Sequence, residues 1–377
     1  MRSAGNVPTL RFAVGEGSAH NDELSVRCQV EQNIVAARAL GWGAERMAVP
    51  GHDHAAGRAT IARTRTGPRF DPNPAFRAGI LAVTSNPLVS RAVRRYGMRL
   101  GASRYVAGET FAEAIPVLRS LNQCGLRTNT TLLGEGVKDR ATTRAVVNEY
   151  KADLDRIAAE SLQTNIALKL THLGLDLDPE LAYGNVADVV AHAAMHGNFV
   201  RIDMEESARV DDTLRVYRRL RADGHDNVGT VLQSYLYRTP ADLESLLPLS
   251  PNLRLVKGAY LEPASIAYPR KADVDRAYIE LAERMLVESA FTAIATHDER
   301  IIDHVIEFTR RNGIGTDRFE FQMLYGVRPQ YQIELARAGH RVLIATPYGP
   351  HWYHYLMRRL AERPANLIWF ATNVLKG

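Results

Sequence analysis

The sequence predicts an α/β protein whose parallel strands close into a (βα)8 barrel of the TIM type, and three observations carry that prediction. Beyond Gly125, eight short apolar runs alternate with amphipathic stretches, the pattern of repeated βαβ units that pair as a parallel sheet. Eight such units favour a closed ring. Polar side chains also gather at the carboxyl ends of the runs, where a barrel carries its chemistry. An open doubly wound sheet is the competing architecture, but no Gly-x-Gly-x-x-Gly follows any run, and Gly134-Glu135-Gly136 stops short of one.

Taken in order, residues 1–70 form a compositionally separate segment in which Gly, Ala, Arg and His recur without a sustained period, apart from an apolar stretch over 30–40. His52, His54, Arg58, Arg63 and Arg65 lie among Gly and Thr, so this part reads as a disordered basic extension, in preference to a nucleic-acid or lipid contact. The His52-x-His54 pair is too short to claim a metal. Residues 71–377 form the barrel domain, opened by N-terminal helices over 88–100 and 109–123. The strand-like runs are 126–133, 165–171, 199–204, 228–235, 253–260, 291–297, 319–324 and 341–348. Helical periods between them include 211–222, 240–247, 274–286, 299–311 and 329–338. Gly224, Gly313 and Gly339 are expected helix stops, and Asp298 and Thr239 expected N-caps.

Composition narrows the class without naming a partner. The chain has 377 residues, 46% of them hydrophobic, and a formal charge of +5, which permits an anionic ligand without requiring one. Cys28 and Cys124 lie far apart, which indicates neither a disulfide framework nor a CxxC metal site and fits a reducing compartment. No apolar run reaches the roughly 20 residues of a membrane span, and the start lacks a secretory core, so the expectation is a cytoplasmic protein.

The run Arg254-Leu255-Val256-Lys257-Gly258-Ala259-Tyr260 is the most informative, being a strand-like segment that carries two cations and a glycine. Alternation assigns Arg254, Val256, Gly258 and Tyr260 to one face and Leu255, Lys257 and Ala259 to the other. A glycine weakens a strand unless something approaches its backbone closely. Around it, Glu135 follows the first run, Lys169 and His172 the second, Asp203, Glu205 and Glu206 the third, Gln233 the fourth, and Thr296, His297 and Asp298 the sixth, with Gln322 in the seventh. In the last helix Tyr355, Arg359 and Glu362 fall at i, i+4 and i+7, with Arg358 on the edge of that face. Guanidinium groups facing inward suit a small carboxylate, which arginine grips with two parallel hydrogen bonds. Each residue taken singly also fits a capped helix or a solvated charge; their joint placement does not.

Together these segments resemble the proline dehydrogenase family of flavoenzymes, especially its monofunctional bacterial branch, over residues 71–367. The motifs that carry the resemblance are Leu132-Leu133-Gly134-Glu135, Leu168-Lys169-Leu170-Thr171, Arg201-Ile202-Asp203-Met204-Glu205, Leu232-Gln233-Ser234-Tyr235-Leu236, the run opened by Arg254, Ala295-Thr296-His297-Asp298, the stretch Phe319 to Gly326, and the arginine helix. The resemblance implies a distorted barrel, noncovalent FAD, and oxidation of L-proline to Δ1-pyrroline-5-carboxylate. It also implies a quinone as electron acceptor, peripheral contact with a membrane, and a functional link to a pyrroline-5-carboxylate dehydrogenase.

Carried over by position, Lys169, Arg358 and Arg359 look like the carboxylate clamp, Asp203 the active-site aspartate, and Tyr355 and Leu324 walls of the proline pocket. Met204, Gln233, Arg254, Val256, Lys257, Gly258, Ala259, Thr296, His297 and Glu362 match flavin contacts, and Glu135 matches a gate partner for Arg358. Asp203, Arg254 and Lys169 are the implied catalytic set. The chemistry agrees, since oxidising a cyclic amine needs hydride transfer from the ring carbon beside nitrogen, from a neutral amine held against the acceptor. One position departs from the pattern: Ala345 stands where family members acting on proline carry a tyrosine, two residues before Pro347. A missing wall contact admits bulkier rings, so 4-hydroxyproline or another substituted proline is the alternative substrate. An inactive flavin-binding barrel is a further alternative, against which the intact lysine, aspartate and arginines argue.

Overall fold

The computed structural model describes residues 98, 102–353 and 355–357 of the chain. The expected extension over 1–70, the helix over 88–100, and Arg358, Arg359 and Glu362 lie outside the described residues.

Helix α1 (Phe111–Gln123) precedes β1 (Arg127–Leu132), and the alternation then continues as α2 (Arg140–Ala159), β2 (Thr164–Leu168), α3 (Pro179–Met195), β3 (Val200–Ile202), α4 (Val210–Ala222) and β4 (Val228–Gln233). It goes on through α5 (Thr239–Leu246), β5 (Asn252–Val256), α6 (Lys271–Glu288), β6 (Phe291–Ala295), α7 (Glu299–Arg311), β7 (Phe319–Leu324), α8 (Pro329–Arg337) and β8 (Val342–Tyr348). The strands form one closed barrel in sequence order, with β8 pairing in parallel with β1 to complete the ring. All eight expected strands are present.

Local chemistry sets the helix starts. Asp139 accepts from the backbone N–H of Thr142 at 2.8 Å to open α2, Asp178 does the same for α3 just before Pro179, and Asp298 opens α7 as expected. Thr239 is not a cap. It is the first residue of α5, and its hydroxyl donates instead to the Gln233 carbonyl at 2.5 Å, pinning the end of β4. Gly224, Gly313 and Gly339 follow α4, α7 and α8 as the expected stops.

Alternation along the strands separates two interiors. Leu168, Ile202, Leu255, Ile294 and Phe321 are fully buried between the sheet and the helices. Inside the ring the side chains are polar: Asn129 on β1, Arg254 on β5 and Gln322 on β7 meet Asp203, directly after β3, through Arg254. Odd-numbered strands thus supply one layer, the arrangement a barrel of this size imposes on its inward side chains.

The structure shortens several expected strands at their carboxyl ends. Pairing stops at Leu168, Ile202, Gln233, Val256 and Ala295, two to four residues before the apolar character of the sequence does. Lys169, Asp203, Met204, Lys257, Gly258, Ala259, Thr296 and His297 therefore stand on the first turns of the βα loops, and Leu170–Leu173 is a 3-10 turn. Apolar and compact residues here, such as Leu170, Met204 and Ala259, extend the strand-like pattern past the last paired residue. Among the described residues no helix is long and apolar enough to cross a membrane.

Candidate active site

Arg254 organises the floor of the mouth. Its Nη1 donates to Asp203 Oδ1 at 2.6 Å, Nε to Gln322 Oε1 at 2.5 Å and Nη2 to Asn129 Oδ1 at 3.3 Å. Gln322 in turn donates to Glu320 at 2.6 Å. Its side chain is 10% exposed, so its charge survives burial only because the carboxylate and two amide oxygens replace water. One layer below, the buried Arg201 donates to the carbonyls of Thr230 and Asn252 at 2.9 and 2.8 Å and lies over the Phe199 ring. Burial, and then repulsion from Arg254, lowers Arg201 to about 9, which leaves it charged at neutral pH. The barrel centre thus holds two guanidinium groups, offset by the carboxylates of Asp203 and Glu320.

Lys169, on the turn after β2, points its ammonium at the Glu135 carboxylate after β1. The expected partner of Glu135 was Arg358, which lies outside the described residues; in this structure the lysine takes a place on that carboxylate. Behind them His172 is buried, and desolvation, followed by the charges of His351 and Lys169, lowers it to about 4, so the ring is neutral. Glu205 accepts from the Thr171 backbone at 3.0 Å and hydroxyl at 2.6 Å, and burial raises its carboxyl above the usual range. This joins the loops after β2 and β3.

The opposite wall comes from β6, β7 and β8. The backbone N–H of Leu324 donates to His297 Nε2 at 2.9 Å, which sets that ring as an acceptor on this side, and the His297 carbonyl accepts from Arg328 at 3.0 Å. Arg328 adopts a left-handed backbone (φ 58°) just before Pro329, a strained conformation at a loop that borders the site. Ala345 registers between Asn129 and Leu324. It is the one residue of β8 that is not buried, although Ile344 and Thr346 on either side are. Tyr355 packs on a second apolar cluster with Leu133, Tyr353 and Leu356.

Lys257 and Gly258 behave as alternation predicts for opposite faces. Lys257 turns outward, paired with Asp275 of α6 and Asp298 at the start of α7. Gly258 has φ 118°, and a Cβ there would lie 2.3 Å from Cδ1 of the Tyr235 ring, so the close approach that demanded glycine is an aromatic face. Thr296 is buried and accepts from the Asp298 backbone at 3.1 Å. Met204 is buried, Val256 half-buried, and Gln233 donates its amide to the Glu205 carbonyl at 3.2 Å.

That bond fixes the orientation of the Gln233 amide and leaves its Oε1 buried with no hydrogen-bond partner among the described residues. A buried acceptor left unpaired costs ~1–3 kcal/mol, so this oxygen at the end of β4 suits a donor from a bound ligand. Sequence reasoning missed Asn129, which completes the arginine floor. Its signal was present: β1 reads Arg-Thr-Asn-Thr-Thr-Leu, too polar for a strand inside a barrel unless its inward side has partners.

Comparison with known proteins now has a geometry to attach to. The model of the family described as proline dehydrogenase matches residues 114–369. The chain belongs to the proline dehydrogenase family. Proline dehydrogenase 2 of Bacillus subtilis subsp. natto is 40% identical over 287 residues, covering 76% of this chain and 94% of that protein. Proline dehydrogenase of Deinococcus radiodurans is 42% identical over 306 residues, 80% of this chain and 98% of that one. Among solved structures, proline utilization A from Bdellovibrio bacteriovorus, inactivated by N-propargylglycine, superposes with a TM-score of 0.67 at 23% identity. It shares the fold over 76% of this chain, which spans only 36% of that longer one. Both relatives are covered nearly end to end, in accord with the monofunctional bacterial branch that the motifs indicated.

Proposed function

We propose that the protein oxidises L-proline to Δ1-pyrroline-5-carboxylate with FAD as its resident cofactor. The single observation that carries the reading is a pair of cations at the mouth, Lys169 held by Glu135 and Arg254 held by Asp203, in a barrel of the proline dehydrogenase family. Bound FAD supplies the acceptor for the hydride. Gln233, with its unpaired buried oxygen, and Tyr235 and Gly258 beside it, would line that cofactor, joined by Met204, Val256, Lys257, Ala259, Thr296, His297 and, from the last helix, Glu362.

The chain's own side chains hold and orient the substrate. Lys169 takes the proline carboxylate in place of Glu135, and Arg358 and Arg359 complete the clamp on that group. Leu324 and Tyr355 bound the apolar ring, which aims the carbon beside nitrogen toward the cofactor and excludes water. Asp203 keeps Arg254 rigid, and the fixed guanidinium stabilises negative charge that develops above it. Burial makes His172 a weak base, so proline enters as the free amine, its proton lost to water. Electrons leave to a quinone at a membrane surface, and the cyclic imine is consumed by a pyrroline-5-carboxylate dehydrogenase.

A second reading concerns substrate range. Ala345 is accessible within an otherwise buried strand, so ring-substituted prolines such as 4-hydroxyproline are accepted beside proline. The experiment is direct: purify the full chain, record its flavin absorbance without oxygen, and add L-proline or 4-hydroxyproline. Bleaching of the flavin bands is expected. A protein without flavin, or one whose flavin stays oxidised with both amino acids, would end the proposal.

A further inference from the structure

On the outside of the barrel α2 and α3 run side by side, tied by a ladder of charges that starts at their N-termini. Arg140 pairs with Asp178 at 2.8 Å, and Arg144 and Lys151 both reach Asp188, at 3.1 and 2.8 Å. One rung further, two imidazoles take the place of the cation. Asp155 Oδ1 lies 2.7 Å from His192 Nε2 and 2.7 Å from His196 Nε2.

We propose that Asp155, His192 and His196 form a binding site for a divalent transition metal, with zinc the best match. Two imidazoles and one carboxylate, with water in a fourth position, are a donor set that suits zinc over magnesium or calcium. His192 and His196 stand four residues apart at the end of α3, which sets both rings on one face, and Asp155 approaches from the other helix. The three donor atoms all lie within 4.8 Å of one another. Tetrahedral zinc with bonds of about 2.0–2.1 Å holds its donors about 3.3 Å apart, so Asp155 must retreat by about 0.6 Å from each ring. Its side chain is 58% exposed, so a rotation suffices and ions have access from solvent. The end of α3 adds the negative pole of the helix dipole.

Position assigns the site a role. The residues after α2 lead into the start of β2 and those after α3 into the start of β3, which is the amino-terminal face of the barrel, where features serve stability and not chemistry. The metal is therefore a clamp between two helices. It also sits beside a shallow cleft lined by Ala194, Gly197, Asn198 and Asp226.

The test uses tag-free full-length protein, equilibrated with Zn2+, desalted and assayed for bound zinc, with Co2+ absorbance as a report of tetrahedral coordination. About one equivalent is expected, with a rise in melting temperature on the order of 3 °C at saturating zinc. Asp155→Asn and His196→Ala should each weaken binding at least about tenfold and abolish the zinc-induced rise, while melting of the metal-free proteins shifts little and proline turnover is unchanged. A His52→Ala, His54→Ala double variant should bind as the parent does. The proposal is overturned by no retained zinc in the parent, by equal binding in Asp155→Asn, or by loss of binding only in the His52, His54 variant. In each of those cases the three residues are a hydrogen-bonded trio alone.

Discussion

Replacing Asp203 isolates what the buried arginine contributes. In Asp203→Ala the Arg254 guanidinium loses the carboxylate at Nη1 and keeps Gln322 at 2.5 Å and Asn129 at 3.3 Å. Breaking one side of a buried ion pair costs ~3–5 kcal/mol, and two remaining amide acceptors, with Asp203 itself 22% exposed, place this case near 3 kcal/mol. If that rigidity is spent on the transition state, the loss in kcat/KM is about 100-fold. Asp203→Asn keeps an oxygen in place while removing the charge, so its loss should be nearer tenfold. The assay is steady-state proline oxidation with an artificial dye acceptor, alongside flavin content and melting temperature. Wild type, Asn and Ala should fall in that order. An Ala variant that turns over proline within about threefold of wild type, with flavin and melting unchanged, would refute the claim that Asp203 positions Arg254.

Ala345→Tyr refills the accessible position between Asn129 and Leu324; efficiency on 4-hydroxyproline should drop about 10–100-fold relative to proline, and an unchanged ratio across a panel of substituted prolines would reject the open-pocket reading. Gly134→Ala would put a Cβ 2.3 Å from Nε2 of the buried His172, so the loop bearing Glu135 must shift; a cost of ~1–3 kcal/mol and a raised KM for proline are expected, and normal melting and KM would contradict it. Asp153 of α2 is buried against the Tyr348 hydroxyl of β8, and burial raises its carboxyl to about 7 despite that bond. A carboxyl that binds its proton more tightly when folded stabilises most below about pH 4, and this contribution is lost as pH rises through 7. Wild type should therefore lose ~2–4 kcal/mol relative to Asp153→Asn across that window, read by denaturant melts at several pH values, and parallel curves would rule it out.

Particular residues mark the division between what sequence and structure supplied. The eight strands were legible because apolar runs bounded by Gly and Asp repeat with a helical period between them, and burial on both faces of a parallel sheet demands such runs. Arg254 was legible as a site residue because a guanidinium inside an apolar run needs a partner, and Asp203 was visible at another strand end. The ends of the strands were not legible: Lys257-Gly258-Ala259-Tyr260 and Thr296-His297 look like strand in composition, yet the strands end at Val256 and Ala295.

The order of secondary elements, the closed-barrel class and the family motifs were all written in the chain by itself, because period, composition and motif are local properties. Tertiary structure alone decided that Asn129 and Gln322, 193 positions apart by their numbers, share one guanidinium, that Lys169 rests on Glu135, and that Asp155 faces two histidines from the next helix. Closure of the ring is the physical reason. It brings alternate strands into one layer and adjacent helices into register, and neither relation leaves a trace in the spacing along a single chain.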